Sequence, residues 1–338
     1  MDNRVTVISD CLINKMDEGC IKVASSLAKR LKENKGAFLI SCGKSDYADK
    51  EICTNRMFTN KEIYDSLRNE SGPIVYVPFS SNSKGGIIRT FFLAKKSKKN
   101  VYSLFALRHH MDFFFRMAFK FSGAGVLTLS KDSYNYYSKY FGNRVTYIKT
   151  GIDLDKFTPV TEDRKKEIRK HFGFNPDDKI ILHVGHLKDG RNIDKLLNIS
   201  DEYKVVLVVS SVTEKDNELE AKLREKKNIT IIDEYIPQIE EIYQMADVYL
   251  FPVQEKNNAI DVPLSVLEAA ACNLPIVCTK YGELKEFTAE DGFCFIDNLE
   301  AESLNQSIEK MIGRNNNNRN AVNEYDWKNA VELISTLE

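Results

Sequence analysis

The stretch from Asp247 to Thr279 constrains this chain more than any other, because its apolar pattern changes period within one short segment. Val248–Val253 is an apolar, β-branched run ended by Pro252, the pattern of a strand buried on both faces of a parallel sheet. From Leu264 the spacing becomes helical, with Leu264, Leu267 and Ala271 on one stripe and Ser265 and Glu268 on another. Ala269–Ala271 permits close packing on a sheet, Asn273 suits the helix end, and Leu274–Thr279 is the next strand. The segment reads as strand, loop, helix, strand. It leaves Glu268 inside an otherwise apolar, small-residue helix, where a carboxylate is costly unless something bonds to it. Two readings stay open: a glutamate on a solvated turn near the loop, or a carboxylate accepting hydrogen bonds from ligand hydroxyls, with helix N–H groups ahead of it for an anion.

The same alternation runs through the chain. Strands are expected at Val5–Asp10, Gly36–Cys42, Ile74–Pro78, Val101–Leu107, Gly125–Ser130 and Val145–Lys149, with helices at Cys20–Lys32, Arg108–Phe121 and Lys131–Phe141. It restarts with a helix at Glu162–Phe172, a strand at Lys179–Gly185 and a helix from Ile193. Strands at Val205–Ser210 and Ile229–Ile232 follow, with helices at Glu218–Lys226, Glu240–Met245, Leu304–Ile312 and Tyr325–Leu337, and Arg314–Asn320 read as a polar turn. At 338 residues the chain is long enough for two domains. The fold class is α/β, with two Rossmann-like parallel-sheet domains: residues 1–150, then 151–324, with a C-terminal helix at 325–338 packing back on the first.

No apolar run approaches the length of a membrane span and no signal-peptide pattern opens the chain, so a cytoplasmic protein is expected. Seven cysteines without a CxxC pair read as reduced, mostly buried thiols and not as a zinc site. The net charge of −1 hides an asymmetry: residues 1–150 hold 25 Lys and Arg against 13 Asp and Glu, a surplus of +12, and the remainder holds 23 against 36, a balance of −13. A basic first half suits an anionic partner, such as a lipid head group, a polyanionic glycan or nucleic acid, or attracts the acidic second half.

No GxGxxG follows the first strand, so a nicotinamide enzyme is disfavoured, and Ser80–Gly86 (SSNSKGG) is a phosphate-cradle candidate without being a Walker loop. Arg89–Lys99 and Arg108–Phe121, the latter with five Phe among Arg, Lys and His, are basic-aromatic segments. They fit either a core-facing helix with a solvated basic side or a contact with the inner face of a membrane. No RNA-binding signature accompanies them, so nucleic acid is not an expected partner. His109 and His110 follow a strand end, where open α/β sheets place their sites. The DxD of Asp153 and Asp155 reads as a turn followed by a packed Phe157, not as a metal site.

The run LEAAACNLPIV (Leu267 to Val277) resembles the donor site of family 4 glycosyltransferases, and TGIDLDKFTP (Thr150 to Pro159) resembles that family's inter-domain linker. The resemblance implies a GT-B architecture, two Rossmann domains facing each other across a cleft. It implies Glu268 on the nucleotide ribose, Arg191 and His186 on the diphosphate, and N–H groups near Leu264, Ser265 and Val266 on the distal phosphate. It places the turn with Tyr235 and Ile236 at the nucleobase, and His109 or His110 near the transferred sugar. The loop of Asp10 and Gly19 falls on the acceptor side. Two positions depart from the pattern: Ile260 stands where the family's first glutamate lies, with Asp261 one residue late, and His186 stands in an arginine place. The activity implied is sugar transfer from a nucleotide-sugar to a glycan or lipid-linked acceptor, with retention, without metal and without a further cofactor. His109, Arg191 and Glu268 are the catalytic candidates. A non-catalytic partner subunit and a nucleotide-sugar epimerase are the alternatives.

Overall fold

The computed structural model of the protein describes residues 4–10, 12–15, 18–210, 214–256, 258–289 and 292–337. The chain forms two compact units: residues 1–150 with 260–262 and 327–338, and residues 151–259 with 263–326.

The first unit runs β1 (Thr6–Ser9), α1 (Gly19–Lys35), β2 (Phe38–Ser41), β3 (Lys50–Glu51), α2 (Lys61–Leu67), β4 (Ile74–Val77), α3 (Lys84–Ser97), β5 (Val101–Phe105), α4 (Phe113–Ser122), β6 (Gly125–Thr128), α5 (Lys131–Phe141) and β7 (Val145–Tyr147). The seven strands lie in the order β3-β2-β1-β4-β5-β6-β7, every pair parallel. Helix α1 shows why the segments stop where they do. The Glu18 carboxylate accepts from the Ile21 N–H at 3.0 Å to start it, and Gly36, at φ 63°, ends it in the left-handed conformation that glycine adopts without strain. Gly19 is therefore the first residue of the helix and not part of a free loop.

The second unit runs α6 (Glu162–His171), β8 (Ile180–Gly185), β9 (Lys204–Val209), α7 (Asn217–Glu225), β10 (Ile229–Ile232), α8 (Ile239–Gln244), β11 (Val248–Phe251), α9 (Leu264–Ala271), β12 (Ile276–Cys278), β13 (Phe293–Phe295), α10 (Ala301–Met311) and α11 (Asn318–Ala321). Its six strands lie in the order β10-β9-β8-β11-β12-β13, again all parallel. The last helix, α12 (Trp327–Ser335), packs on α1, with the Arg30 guanidinium over the Trp327 ring.

Three differences from the pattern reading have local causes. Basic-aromatic helix α4 begins at Phe113 and not Arg108, because Asp112 caps it by accepting from the Phe115 N–H and the preceding residues form a tied loop. The segment after Arg191 is a short 3₁₀ helix, Ile193–Asn198, with Asn192 left-handed at φ 58°, so no α-helix N-terminus follows that arginine. The asparagine-rich run Arg314–Asn320 is more than a turn: Asn318 is fully buried at the start of α11 and its amide donates to the Leu274 carbonyl. The six cysteines among the described residues are free thiols, although Cys53 is exposed.

Candidate functional site

Within the second unit, β11 lies between β8 and β12 and against α9, which carries Glu268, while Arg191 follows the end of β8. Glu268 is 2% exposed, which removes the solvated-turn reading. The hydroxyl of Tyr243, from α8, donates to its Oε2 at 2.7 Å. Burial, together with the adjacent Glu268 charge, holds the Tyr243 phenol well above its usual range, so the proton stays on the donor side of this bond. A carboxylate held in this way keeps its remaining lone pairs in a fixed direction.

Arg191 is 8% exposed, so it is not a solvent-facing cation. Its Nε donates to the Asn258 carbonyl at 2.8 Å, and the Asn258 amide donates back to the Gly190 carbonyl at 2.8 Å. Gly190, at φ 77°, is required, because a Cβ there would lie 2.3 Å from the Asn258 amide nitrogen. The guanidinium also faces β8: a Cβ on Gly185 would stand 2.9 Å from Arg191 Nη1 and 2.8 Å from His183 Nε2. Gly185 therefore makes room for two nitrogens that any side chain would displace.

Tyr249, on β11, ties these parts together. Its hydroxyl donates to the Val184 carbonyl at 3.2 Å, is hydrogen-bonded to Ser265, and lies within the fields of both Glu268 and Arg191. Beneath it an aromatic series runs through the unit: Phe157 against Tyr243 at 5.6 Å, Tyr243 against Tyr249 at 5.9 Å, then His183 stacked at 6.3 Å on both Tyr249 and Phe251. The linker turn begins this series. Asp153 accepts from the Asp155 and Lys156 N–H groups, and Phe157 is buried beyond it. Arg319 fastens the same turn to α9 by donating to the Leu154 and Ala271 carbonyls, each at 2.8 Å. A cation on the last carbonyls of α9 also suits the negative end of its dipole.

His183, Tyr243 and Tyr249 escaped the reading of the sequence. The signal for the tyrosines was present as polar-tipped aromatics in otherwise apolar elements, and for His183 as the one ring nitrogen pair in an aliphatic strand. His183 Nδ1 lies 2.8 Å from the Leu250 carbonyl, which makes it the protonated nitrogen, and Nε2 has no hydrogen-bond partner among the described residues. Complete burial, with Arg191 adding to it, lowers its pKa to about 4, so the ring beside the guanidinium is neutral at pH 7.

The other expected donor residues are less committed to one place. His186 is half-buried at the end of β8, and Tyr235 is 44% exposed with Ile236 between β10 and α8. Leu264, Ser265 and Val266 form the first turn of α9, but the Val266 N–H already donates to the Pro263 carbonyl at 3.0 Å, which leaves it poorly placed for a phosphate.

In the first unit, Asp10 at the end of β1 is engaged on both oxygens, by Arg89 at 2.7 Å and by the Phe79 N–H at 3.0 Å. The Gly19 Cα faces Ile260, whose side chain would meet a Cβ there at 3.5 Å, in ordinary contact. Asp261 does not stand in for the missing glutamate: it is counted with this unit, where its carboxylate accepts from Ser133 and, at 3.0 Å, from Ser130 at the start of α5. His109 is half-buried and His110 exposed. The loop that carries them is held by two buried side chains of the Ser80–Gly86 segment. Asn82 brackets His109, accepting from its N–H at 2.7 Å and donating to its carbonyl at 2.8 Å, and Ser81 brackets Leu107 in the same manner. The segment read as a phosphate cradle thus spends Ser81 and Asn82 on the histidine loop, and Ser83 on capping α3.

Residues 164–328 match the family described as Glycosyl transferases group 1. Through this segment, just under half of its length, the chain is similar to that family. Among curated relatives, a D-inositol 3-phosphate glycosyltransferase of Mycolicibacterium smegmatis is 26% identical over 160 residues, covering 44% of this chain and 35% of its own. A GDP-mannose-dependent monoacylated alpha-(1-6)-phosphatidylinositol monomannoside mannosyltransferase of Corynebacterium glutamicum is 22% identical over 206 residues, covering 55% and 52%. The chain thus spans about a third to a half of the length of these relatives. Solved structures match over the full length. Anabaena Alr3699/HepE in complex with UDP superimposes with a TM-score of 0.76 at 12% identity, covering 99% of this chain and 100% of that one. A UDP-GlcNAc 2-epimerase of Neisseria meningitidis bound to UDP-GlcNAc gives 0.61 at 13% identity, covering 99% and 100%. At such identities the likeness establishes the two-domain Rossmann-like GT-B fold and not the reaction.

Proposed function

We propose that this chain transfers a sugar from a nucleotide-sugar to a glycan or lipid-linked acceptor, with retention at the anomeric carbon. The observation that carries the reading is that a buried, tyrosine-held Glu268 and a buried Arg191 both act on the Tyr249 hydroxyl, each constrained by its own hydrogen bond. In this reading Glu268 accepts from the ribose hydroxyls, and Arg191 presents its guanidinium charge to the diphosphate, stabilising the charge that develops on the leaving group. The guanidinium supplies the compensating charge, so neither a metal nor a second cofactor is invoked, and chelator should leave turnover unchanged. His109, held by Asn82, is the group of the first unit assigned to the transferred sugar.

The decisive experiment is a thermal-shift screen against UDP, GDP, ADP and dTDP and their common sugars, with UDP first because the Anabaena neighbour was solved with it. A nucleotide at a hundredfold over its Kd should stabilise by about 2.7 kcal/mol. The shift should disappear in Glu268→Ala and Arg191→Ala; unchanged affinity in both removes the assignment. Ile260, apolar where the family pattern has an acid, favours one second reading, a partner subunit that binds donor without turning it over. Binding with no transfer to any acceptor selects that reading, and conversion of donor alone selects an epimerase.

A further inference from the structure

Helix α4 is apolar on the side where a soluble helix should be polar. Phe113, Phe114 and Phe121 are 70%, 72% and 65% exposed, and with half-buried Met117 they fall within roughly 100° of arc on the helical wheel. The other side of the helix is the one that packs: Phe119 lies fully buried, 5.6 Å from Phe105 and 4.9 Å from Phe141. The core-facing reading thus accounts for one face and leaves a second apolar face in water, which normally marks a contact surface.

The charge around it is one-sided. Between Lys84 and Phe141 the chain holds eleven Lys and Arg against two Asp and no Glu. Of the two acids, Asp112 is engaged as the cap of α4. Lys84 lies 5.5 Å from the Phe115 ring, Arg116 lies 4.5 Å from the Tyr140 ring, and exposed Lys120 borders the phenylalanines on the same helix. A second copy of this face would bring like charge against like charge, whereas an anionic lipid surface offers both an apolar interior for the rings and counter-charge for the rim.

We infer that α4 is a membrane-docking helix: Phe113, Phe114 and Phe121 enter the headgroup boundary of an anionic bilayer, with Lys120, Arg116 and Lys84 at its phosphates. The inference stands apart from the donor assignment. The test is co-sedimentation of the full chain with vesicles of phosphatidylcholine alone or mixed with phosphatidylglycerol. Binding is expected to the mixed vesicles and to weaken with salt. The double variant Phe114→Ser/Phe121→Ser should lose affinity about tenfold or more, from the two buried rings. Lys120→Glu should lose roughly fivefold or more. Both variants alter exposed side chains and should melt as the parent does, with any nucleotide shift retained, so failure here is separable from failure of the donor site. As an independent readout, Phe114→Trp should transfer energy to a dansyl lipid only in anionic vesicles. No sedimentation of the parent chain, or sedimentation unaffected by the double variant, overturns the inference. Self-association that the double variant abolishes, without vesicle binding, assigns the face to a second copy and overturns it as well.

Discussion

Replacing Tyr243 by Phe removes a single oxygen from the centre of the candidate site and leaves the ring that packs between Phe157 and Tyr249. The oxygen donates to a carboxylate that is 2% exposed, at 2.7 Å. A hydrogen bond from a buried hydroxyl to a carboxylate contributes about 1.5–3 kcal/mol, because a buried acceptor that loses a donor bears a desolvation cost. Taking ~2 kcal/mol and 2–4 °C per kcal/mol for a unit of this size, the melting temperature should fall by about 4–8 °C. A double-mutant cycle with Glu268→Gln isolates the cause. If the phenol acts on the carboxylate, the two substitutions should couple by at least ~1 kcal/mol, whereas independent effects add within ~0.5 kcal/mol. Nucleotide affinity measured by titration should fall less in Tyr243→Phe than in Glu268→Ala, because ribose hydroxyls can still reach the retained carboxylate. A Tyr243→Phe protein that melts with the parent, or a cycle that is merely additive, would refute the claim that Tyr243 holds Glu268 in place.

Three further outcomes follow from the same geometry. Gly185→Ala places a methyl group 2.8 Å from His183 Nε2 and 2.9 Å from Arg191 Nη1, so one of them must move; nucleotide affinity by calorimetry should drop roughly tenfold, since sub-ångström misplacement of a charge clamp has effects of that order. His183 has its pKa depressed to about 4, so its contribution is complete above the unfolded value near 6.5 and is lost as pH falls from there towards 4. That loss amounts to about 3 kcal/mol, and denaturant midpoints of His183→Asn should change correspondingly less over this window. Asn82→Asp keeps an acceptor for the His109 N–H but cannot donate to its carbonyl. Transfer rate should fall with nucleotide affinity unchanged, and an unaltered rate would remove His109 from the reaction.

The apolar periodicity was sufficient for the strand-and-helix order, because parallel strands buried on both faces leave continuous apolar runs such as Val248–Phe251, and α9 follows with a change of period to a helical one. The two-residue β3 and the helix α2 were not legible, since Lys50–Glu51 carries no apolar signal and takes its conformation from pairing with β2. Side-chain chemistry was legible where it breaks a pattern, as with Glu268 in an alanine-rich helix and Arg191 after a glycine. It was not legible for Tyr243, which in its own helix reads as an ordinary core aromatic.

The sequence by itself determined the class of the protein: the alternation of strands and helices, the LEAAACNLPIV run and the linker with its buried Phe157 all depend on residues close in the chain, and local spacing specifies them. Tertiary structure decided what each polar residue is for. Asp261 and Glu268 are both largely buried acids seven positions apart, yet one is spent on the serines at the start of α5 and the other is held by a tyrosine from α8. Asn82 turns out to serve a histidine loop twenty-seven residues away, and the phenylalanines of α4 divide between core and surface. These assignments depend on which long-range partner satisfies a buried donor or acceptor, and that is fixed only when distant segments are brought within hydrogen-bond reach.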